Sequence, residues 1–184
     1  MTNFRRREFA LWLALAFSSS HARASMTPPE LRSRLPDAIL AGQAKFTFWG
    51  LDVYQAALWV EPDFVPAAFE RHAFALELLY LRDFSNEQIT KRSLDEMRRQ
   101  GGVAPATLAA WQPLLRGAFP DIVKGDRIIG LHLPGSGAIF LTNTRQSGAV
   151  SDADFARRFF AIWLSPQTSE PQLRSALLAR LPAR

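Results

Sequence analysis

Alternating and apolar runs in the first half of the chain predict three β-strands. In residues 45–49 (KFTFW) polar and apolar side chains alternate, and an apolar pattern resumes in residues 51–60 (LDVYQAALWV) after Gly50. A period of two is typical of a strand with one solvent-facing side, and glycine often marks the turn between such runs. We therefore predict an antiparallel pair of strands joined near Gly50. Residues 74–81 (FALELLYL) are apolar apart from Glu77, which predicts a buried third strand.

Helix-capping patterns predict the starts of four helices. A serine, threonine or aspartate at a helix start accepts hydrogen bonds from the free N–H groups of the first turn. The predicted helices are a short one after Thr27 that ends before Pro36, one from Ser85 to about Arg99, one from Ser151 to about Leu164, and one that starts at Ser169. A further helix over residues 106–115 is predicted to be interrupted at Pro113.

The order of the predicted elements indicates the fold class. Residues 125–133 and 138–144 form two more apolar runs, and the segment PGSG between them predicts a hairpin turn. Strands do not alternate regularly with helices along this chain, so a doubly wound parallel sheet is not expected. We predict an α+β fold in which a mainly antiparallel β-sheet carries a layer of α-helices on one face.

The N-terminus has the three parts of an export signal. Residues 5–7 are positively charged arginines, residues 9–17 (FALWLALAF) are apolar, and residues 22–24 (ARA) form a cleavage pattern. The apolar run is too short to cross a bilayer, which takes about 20 apolar residues. We therefore expect residues 1–24 to be removed as a signal peptide, and residues 25–184 to form a periplasmic domain without a membrane span. The arginines suit both the general and the twin-arginine export routes, and both stay open.

Composition and charge narrow the range of partners. With 184 residues, 48% hydrophobic and 21% charged, the chain is typical of one globular domain. The formal net charge is +5, of which residues 1–24 contribute +3, so the remainder carries +2. That excess is too small to predict a nucleic-acid partner. The chain has no cysteine, which excludes disulfide and thiol chemistry.

The sequence contains no recognisable cofactor motif. His72 and His132 lack the spacing of metal ligands, and Ser136 lies between two predicted strands instead of in a nucleophile motif. No phosphate-loop or dinucleotide motif occurs. We therefore expect neither a metal nor another cofactor. Tryptophans are expected in the core or in the lining of an apolar cleft. They are Trp49, Trp59, Trp111 and Trp163.

Two segments of the first predicted strands carry a distinctive pattern. Residues 42–46 read GQAKF and residues 53–59 read VYQAALW. They resemble the motifs G-x-G-[RK]-F and V-Y-x-A-x-L-W of the bacterial chalcone isomerase-like family. Similar segments follow in the family's order at residues 76–82, 119–121, 125–127, 133–137, 155–164 and 168–174. The resemblance implies the chalcone isomerase fold, an open-faced β-sandwich with a ligand cleft between the sheet and the helices.

The resemblance does not extend to the catalytic residues of plant chalcone isomerases. In those enzymes an arginine holds the substrate phenolate, a threonine and a tyrosine polarise the ketone, and an asparagine positions the rings. The corresponding positions here hold Lys45, Trp49, Ser85 and Arg92. We therefore expect no chalcone cyclisation. A two-residue change of register would nevertheless bring Thr47 to the threonine position.

The leading hypothesis is a non-catalytic protein that binds a small apolar or fatty-acid-like ligand, as some plant relatives do. An apolar cleft with a cation at its mouth suits a carboxylate with an apolar tail. The candidate ligand contacts are Lys45, Tyr54, Tyr80 and Arg82. Both tyrosines are equally well explained as core residues with bonded hydroxyls, and Arg82 as a surface ion pair. Two other functions stay open: an isomerase or intramolecular lyase with an unknown substrate, and an envelope protein-interaction subunit.

Overall fold

A single antiparallel sheet organises the chain. The computed structural model describes residues 27–182, so the predicted signal peptide lies outside the described residues. Six strands lie in the sheet in chain order, and each pairs antiparallel with the next. The strands are β1 (Ile39–Phe48), β2 (Leu51–Val60), β3 (Phe74–Tyr80), β4 (Arg127–Leu133), β5 (Gly137–Thr142) and β6 (Arg145–Val150). The helices are α1 (Asn86–Arg99), α2 (Pro105–Ala118), α3 (Ala153–Leu164) and α4 (Pro171–Leu177).

The hairpin predicted near Gly50 is confirmed. Strands β1 and β2 are joined by Trp49 and Gly50, whose φ angles of 51° and 76° place both in the left-handed region. A two-residue turn of this hand matches the twist of the strands that it joins. Strand β1 begins at Ile39, earlier than predicted. The sequence did not indicate this start, because residues 39–44 are mostly small or apolar and show no period of two.

Two of the predicted helix starts have the expected caps. The Ser85 hydroxyl accepts from the Gln88 N–H, and the Gln88 side chain accepts from the Ser85 N–H, so α1 begins with a complete capping box. The Asp152 carboxylate caps α3 by accepting from two backbone N–H groups, those of Asp154 and Phe155. An acidic or hydroxyl side chain thus begins each of these two helices.

Three other helix predictions are corrected by the structure. Helix α2 continues through Pro113, because Leu108, Trp111 and Leu115 form one buried stripe along it. The last helix is not capped by Ser169, since Glu170 occupies the cap position and makes no side-chain capping bond. The helix predicted after Thr27 is only a 3-10 turn, Pro29–Leu31.

Strand β6 was not predicted from the sequence. Its residues, RQSGAV, have no strand-like alternation of polar and apolar side chains.

The sheet separates two apolar cores. The larger core lies between the sheet and the four α-helices, which confirms the predicted α+β arrangement. On the other face the segment before β1 packs Leu31 and Leu35 against the sheet. Arg127 forms ion pairs with Glu30 (2.5 Å) and with Glu77 (3.3 Å), which tie that segment to β3 and β4.

Close contact between α4 and β1 depends on one glycine. A Cβ on Gly42 would lie 2.1 Å from the carbonyl oxygen of Ala176 and 2.6 Å from that of Leu177. The Arg180 N–H donates to the Ala41 carbonyl just beyond this point. The glycine that opens the GQAKF motif therefore has a packing role, since only a residue without a side chain lets the helix approach this closely.

Candidate functional site

An apolar cavity of about 460 Å³ lies between the sheet and the helices. Strands β1 to β5 form one wall, and α1, α3 and the start of α4 form the other. A volume of this size falls within the range of about 300–1,000 Å³ that is usual for small-molecule sites. The apolar lining includes Phe46, Val53, Leu76, Leu78, Phe84, Ile89, Ile128, Phe140, Phe159, Phe160, Ile162 and Leu173.

Two tyrosines place hydroxyl groups within this lining. Tyr54 on β2 and Tyr80 on β3 are direct cross-strand partners, and their ring centroids lie 5.9 Å apart. The Trp163 Nε1–H donates to the Tyr54 oxygen over 3.0 Å. Among the described residues, neither phenol donates a hydrogen bond to an acceptor. Each therefore has one hydrogen-bond donor to offer to a ligand.

Burial makes both phenols harder to ionise. Loss of solvation raises the pKa of Tyr54 and of Tyr80 above their ordinary value. For Tyr54, the hydrogen bond from Trp163 opposes that rise but is the smaller effect. The two hydroxyls consequently act as hydrogen-bond donors at neutral pH and do not supply a phenolate base.

One carboxylate in the cavity wall is fully engaged. The Glu96 side chain on α1 is buried, and its two oxygens receive Arg92 at 2.8 Å and Arg99 at 2.9 Å. The Ser169 hydroxyl donates to the same carboxylate over 3.0 Å. Ser169 therefore joins α4 to α1, instead of capping α4 as its sequence context predicted. The ion pairs compensate the buried charge of Glu96, which leaves this group poorly suited to proton abstraction.

A free cation lies in the same lining. Arg82 follows β3, is exposed and lines the cavity. Its guanidinium forms no ion pair and no hydrogen bond with any described residue. Lys45, by contrast, is not among the lining residues, and its ammonium pairs with Asp52 at 2.8 Å. Of the four side chains predicted from the sequence, three lie in the cavity wall: Tyr54, Tyr80 and Arg82.

The β1–β2 turn forms part of the cavity mouth. Phe48, Trp49 and Leu51 line the cavity and are also exposed to solvent. The Arg92 guanidinium lies over the Phe48 ring, 5.6 Å from its centroid, which is cation–π geometry. The mouth thus combines exposed apolar side chains with two arginines, Arg82 and Arg92.

Several lining residues were not predicted. Arg92 and Glu96 were not among the candidate ligand contacts, yet they face the cavity together with Ile89 and Ser93. Their spacing of three and four residues places them on one side of α1. A helical projection of the sequence would therefore have shown that these residues share one face. Trp163 was expected in the core or in a cleft, and it is both buried and part of the lining.

Comparison with known families identifies the fold. Residues 35–179 match the family model described as chalcone isomerase-like. The chain belongs to this family. A solved structure that resembles this chalcone isomerase-like chain is a fatty-acid binding protein from Arabidopsis thaliana, with 12% identity and a TM-score of 0.61. The match covers 77% of this chain and 87% of the plant protein. At this identity the likeness establishes the shared fold alone. No curated protein sequence matches the chain significantly.

Within residues 27–182, no three metal-binding side chains cluster, and no helix is both long and apolar enough to cross a membrane. The His132 ring hydrogen-bonds to the His72 carbonyl over 2.8 Å, while the His72 ring accepts from the Val65 N–H. Both histidine rings therefore have structural hydrogen bonds.

Proposed function

We propose that this chalcone isomerase-like protein binds a fatty-acid-like ligand without transforming it. The apolar tail occupies the cavity, and the carboxylate meets Arg82 at the mouth. The observation that carries the proposal is an apolar cavity whose lining includes one guanidinium without a partner among the described residues. The plant protein with the same fold is a fatty-acid binding protein, which agrees with this ligand class.

The polar groups of the cavity favour binding over chemistry. The two phenols are neutral donors, and Glu96 is held by two arginines and Ser169. Donors of this kind orient a carboxylate or carbonyl oxygen, which suits binding. Glu170, the other carboxylate in the lining, forms no ion pair with any described residue, so it is the group that an isomerase would use as a general base.

A calorimetric titration of the purified protein with palmitate and with hexadecanol tests the proposal. Arg82→Gln should weaken palmitate binding roughly three- to tenfold, because a partly exposed charge-assisted contact is lost. The alcohol, which carries no charge, should bind the variant and the parent protein equally well. Arg145→Gln on the exposed edge strand β6 is the matched control, since it removes the same charge away from the cavity. Absence of palmitate binding by the parent protein would refute the proposal.

We also expect no chalcone cyclisation by this protein. Trp49 and Arg92 line the cavity at positions that correspond to the plant threonine and asparagine, whereas Ser85 caps α1. Thr47 is exposed and is not part of the lining, so the alternative register does not supply a threonine. A spectrophotometric assay that detects turnover well above the spontaneous rate would contradict a purely binding role.

We infer that the protein works after export, with residues 1–24 removed. The positive residues, the apolar run and the ARA pattern support this inference. N-terminal sequencing of the protein from a periplasmic fraction should find Ser25 first. Met1 retained in a membrane fraction would contradict export as a soluble, processed protein.

A further inference from the structure

The β1–β2 turn concentrates exposed apolar surface at one point. We define the hairpin tip as residues 48–51 (FWGL). The exposed fractions are 90% for Trp49, 47% for Phe48 and 53% for Leu51. Only three other large apolar side chains in the described chain are comparably exposed, and they lie at separate places: Ile39, Leu114 and Val123. The tip is therefore a local feature that needs its own explanation, unlike single exposed apolar residues.

Trp49 occupies this turn against its backbone preference. Its φ of 51° lies in the left-handed region, where a bulky side chain is an outlier. Turns of this type favour asparagine followed by glycine, and here tryptophan stands in the asparagine position. The indole makes one aromatic contact, with Phe48 at a centroid distance of 6.0 Å, and it borders the cavity mouth with most of its surface in solvent. Such a residue carries a conformational cost without a packing gain, which indicates a role outside the folded chain.

The size and composition of the tip favour a lipid surface over a protein partner. Three side chains with these exposures present about 400 Å² of apolar surface, judged from the usual area of such groups. A stable protein interface buries about 800 Å² on each partner. Tryptophan is the residue that most favours the boundary between lipid headgroups and acyl chains. We propose that the hairpin tip docks on the surface of a lipid bilayer, with Trp49 inserted at the headgroup level.

The charges around the cavity set the expected lipid preference. The charged residues of the lining are Arg82, Arg92, Glu96 and Glu170, whose formal charges cancel. Lys45 near the tip is neutralised by Asp52. Docking therefore depends on apolar insertion, and it should occur on neutral bilayers with little dependence on anionic lipid.

Docking at this position would join the bilayer to the cavity. Phe48, Trp49 and Leu51 belong both to the tip and to the cavity mouth. An apolar ligand could then pass between the bilayer and the cavity without crossing water. This consequence rests on the proposed binding function, whereas the docking itself does not.

Site-specific labelling tests the docking in the processed chain, residues 25–184, because the apolar run of residues 9–17 would itself bind vesicles. Because the chain has no cysteine, Leu51→Cys provides a single attachment point for an environment-sensitive dye. With phosphatidylcholine vesicles, and no fatty acid present, we expect a blue shift of the dye at position 51. The matched control is Leu114→Cys, on α2 and 40% exposed, where the dye should stay in water. Adding phosphatidylglycerol should change the apparent affinity less than about threefold.

A second substitution separates docking from folding. Trp49→Asn in the Leu51→Cys protein should weaken vesicle binding about tenfold, because one large aromatic side chain no longer inserts. Asparagine suits the turn, so loss of binding cannot be attributed to a disrupted hairpin.

Vesicle flotation without a shift at position 51 would assign membrane binding to another part of the chain and overturn the proposal. A shift in the absence of vesicles that depends on protein concentration would identify a second copy as the partner instead. Failure of docking leaves the palmitate titration unaffected, so the two proposals fail separately.

Discussion

Two aromatic clusters lie in the same layer of the protein, and they differ in whether the space beside them is filled or empty. The packed cluster consists of Phe74, His132, Phe155, Phe159 and Phe160. Its rings lie close together, with centroid distances of 4.8 Å between Phe74 and His132 and 5.0 Å between Phe74 and Phe160. All five side chains are buried.

The hollow cluster, in contrast, surrounds the mouth side of the cavity. It consists of Phe46, Phe48, Tyr54, Tyr80 and Phe84. Neighbouring rings are 5.1 Å apart for Phe46 and Tyr54 and 5.7 Å apart for Tyr80 and Phe84. Aromatic contacts are therefore similar in the two clusters, and the number of rings does not explain the cavity.

The opposing helix explains the difference between the clusters. Helix α3 places Phe155, Phe159 and Phe160 against the sheet in the packed cluster, and Phe159 and Phe160 also border the cavity. Across from the hollow cluster, α1 presents Gln88, Arg92, Ser93 and Glu96. Small or charged side chains cannot fill an apolar gap to the density of a protein interior. The cavity therefore lies where aromatic side chains of the sheet face a side of α1 that is polar or small apart from Ile89.

The largest expected effect distinguishes the two clusters by stability. Phe155→Ala should lower the free energy of unfolding by about 3–5 kcal/mol, because Phe155 is fully buried and stacks on Phe159. Phe48→Ala should cost less than about 1 kcal/mol, because its ring is half exposed at the cavity mouth. Urea unfolding of both variants measures the difference. Equal losses would show that the hollow cluster contributes to the core as much as the packed one.

An intermediate effect concerns pH and the packed cluster. Burial lowers the pKa of His132, although its hydrogen bond to the His72 carbonyl and the charge of Glu70 oppose this. Below the ordinary histidine pKa of 6.5, the unfolded chain therefore binds a proton that the folded protein does not. The free energy of unfolding should fall as pH decreases through that value towards the lower pKa of the folded state.

The pH dependence of urea unfolding checks this expectation. His132→Asn should flatten the fall in unfolding free energy between neutral and mildly acidic pH, even if its stability is lower throughout. The same substitution at His72 is the matched control. An unchanged slope in the His132 variant would assign the acid sensitivity to other groups.

The sequence predicted the strands and helices better than the residues of the cavity. Strong local signals, such as the Ser85–Gln88 capping box and the turn at Gly50, correspond to observed elements. The polar strand β6 depends on pairing with β5 rather than on its own pattern, so no local signal marks it. Pro113 was given too much weight, because the buried stripe of α2 maintains the helix.

The candidate site was predicted in part, for reasons of strand geometry. Tyr54 and Tyr80 come together because β2 and β3 pair in register, which the sequence of each strand alone does not specify. Lys45 precedes Phe46 on β1, and successive side chains of a strand point to opposite faces. Since Phe46 lines the cavity, Lys45 points away from it. The engaged state of Glu96 depends on Ser169, 73 residues later in the chain, and only the folded structure brings them together.

The smallest expected effect concerns Trp49, which lies beside the hollow cluster at the cavity mouth. It tests whether this residue lowers the stability of the fold. Trp49→Asn should raise the free energy of unfolding by about 0.5–1 kcal/mol, because asparagine tolerates the left-handed backbone that tryptophan resists. The 90% exposure of the indole means that little packing is lost in exchange. Thermal and urea unfolding of the variant measure this gain, with Leu114→Asn on α2 as a control for removing an exposed apolar side chain. A loss of stability in the Trp49 variant would show that the indole packs on the cavity mouth and contributes to the fold. A gain, together with weaker vesicle binding, would show that the turn retains tryptophan for contact outside the protein.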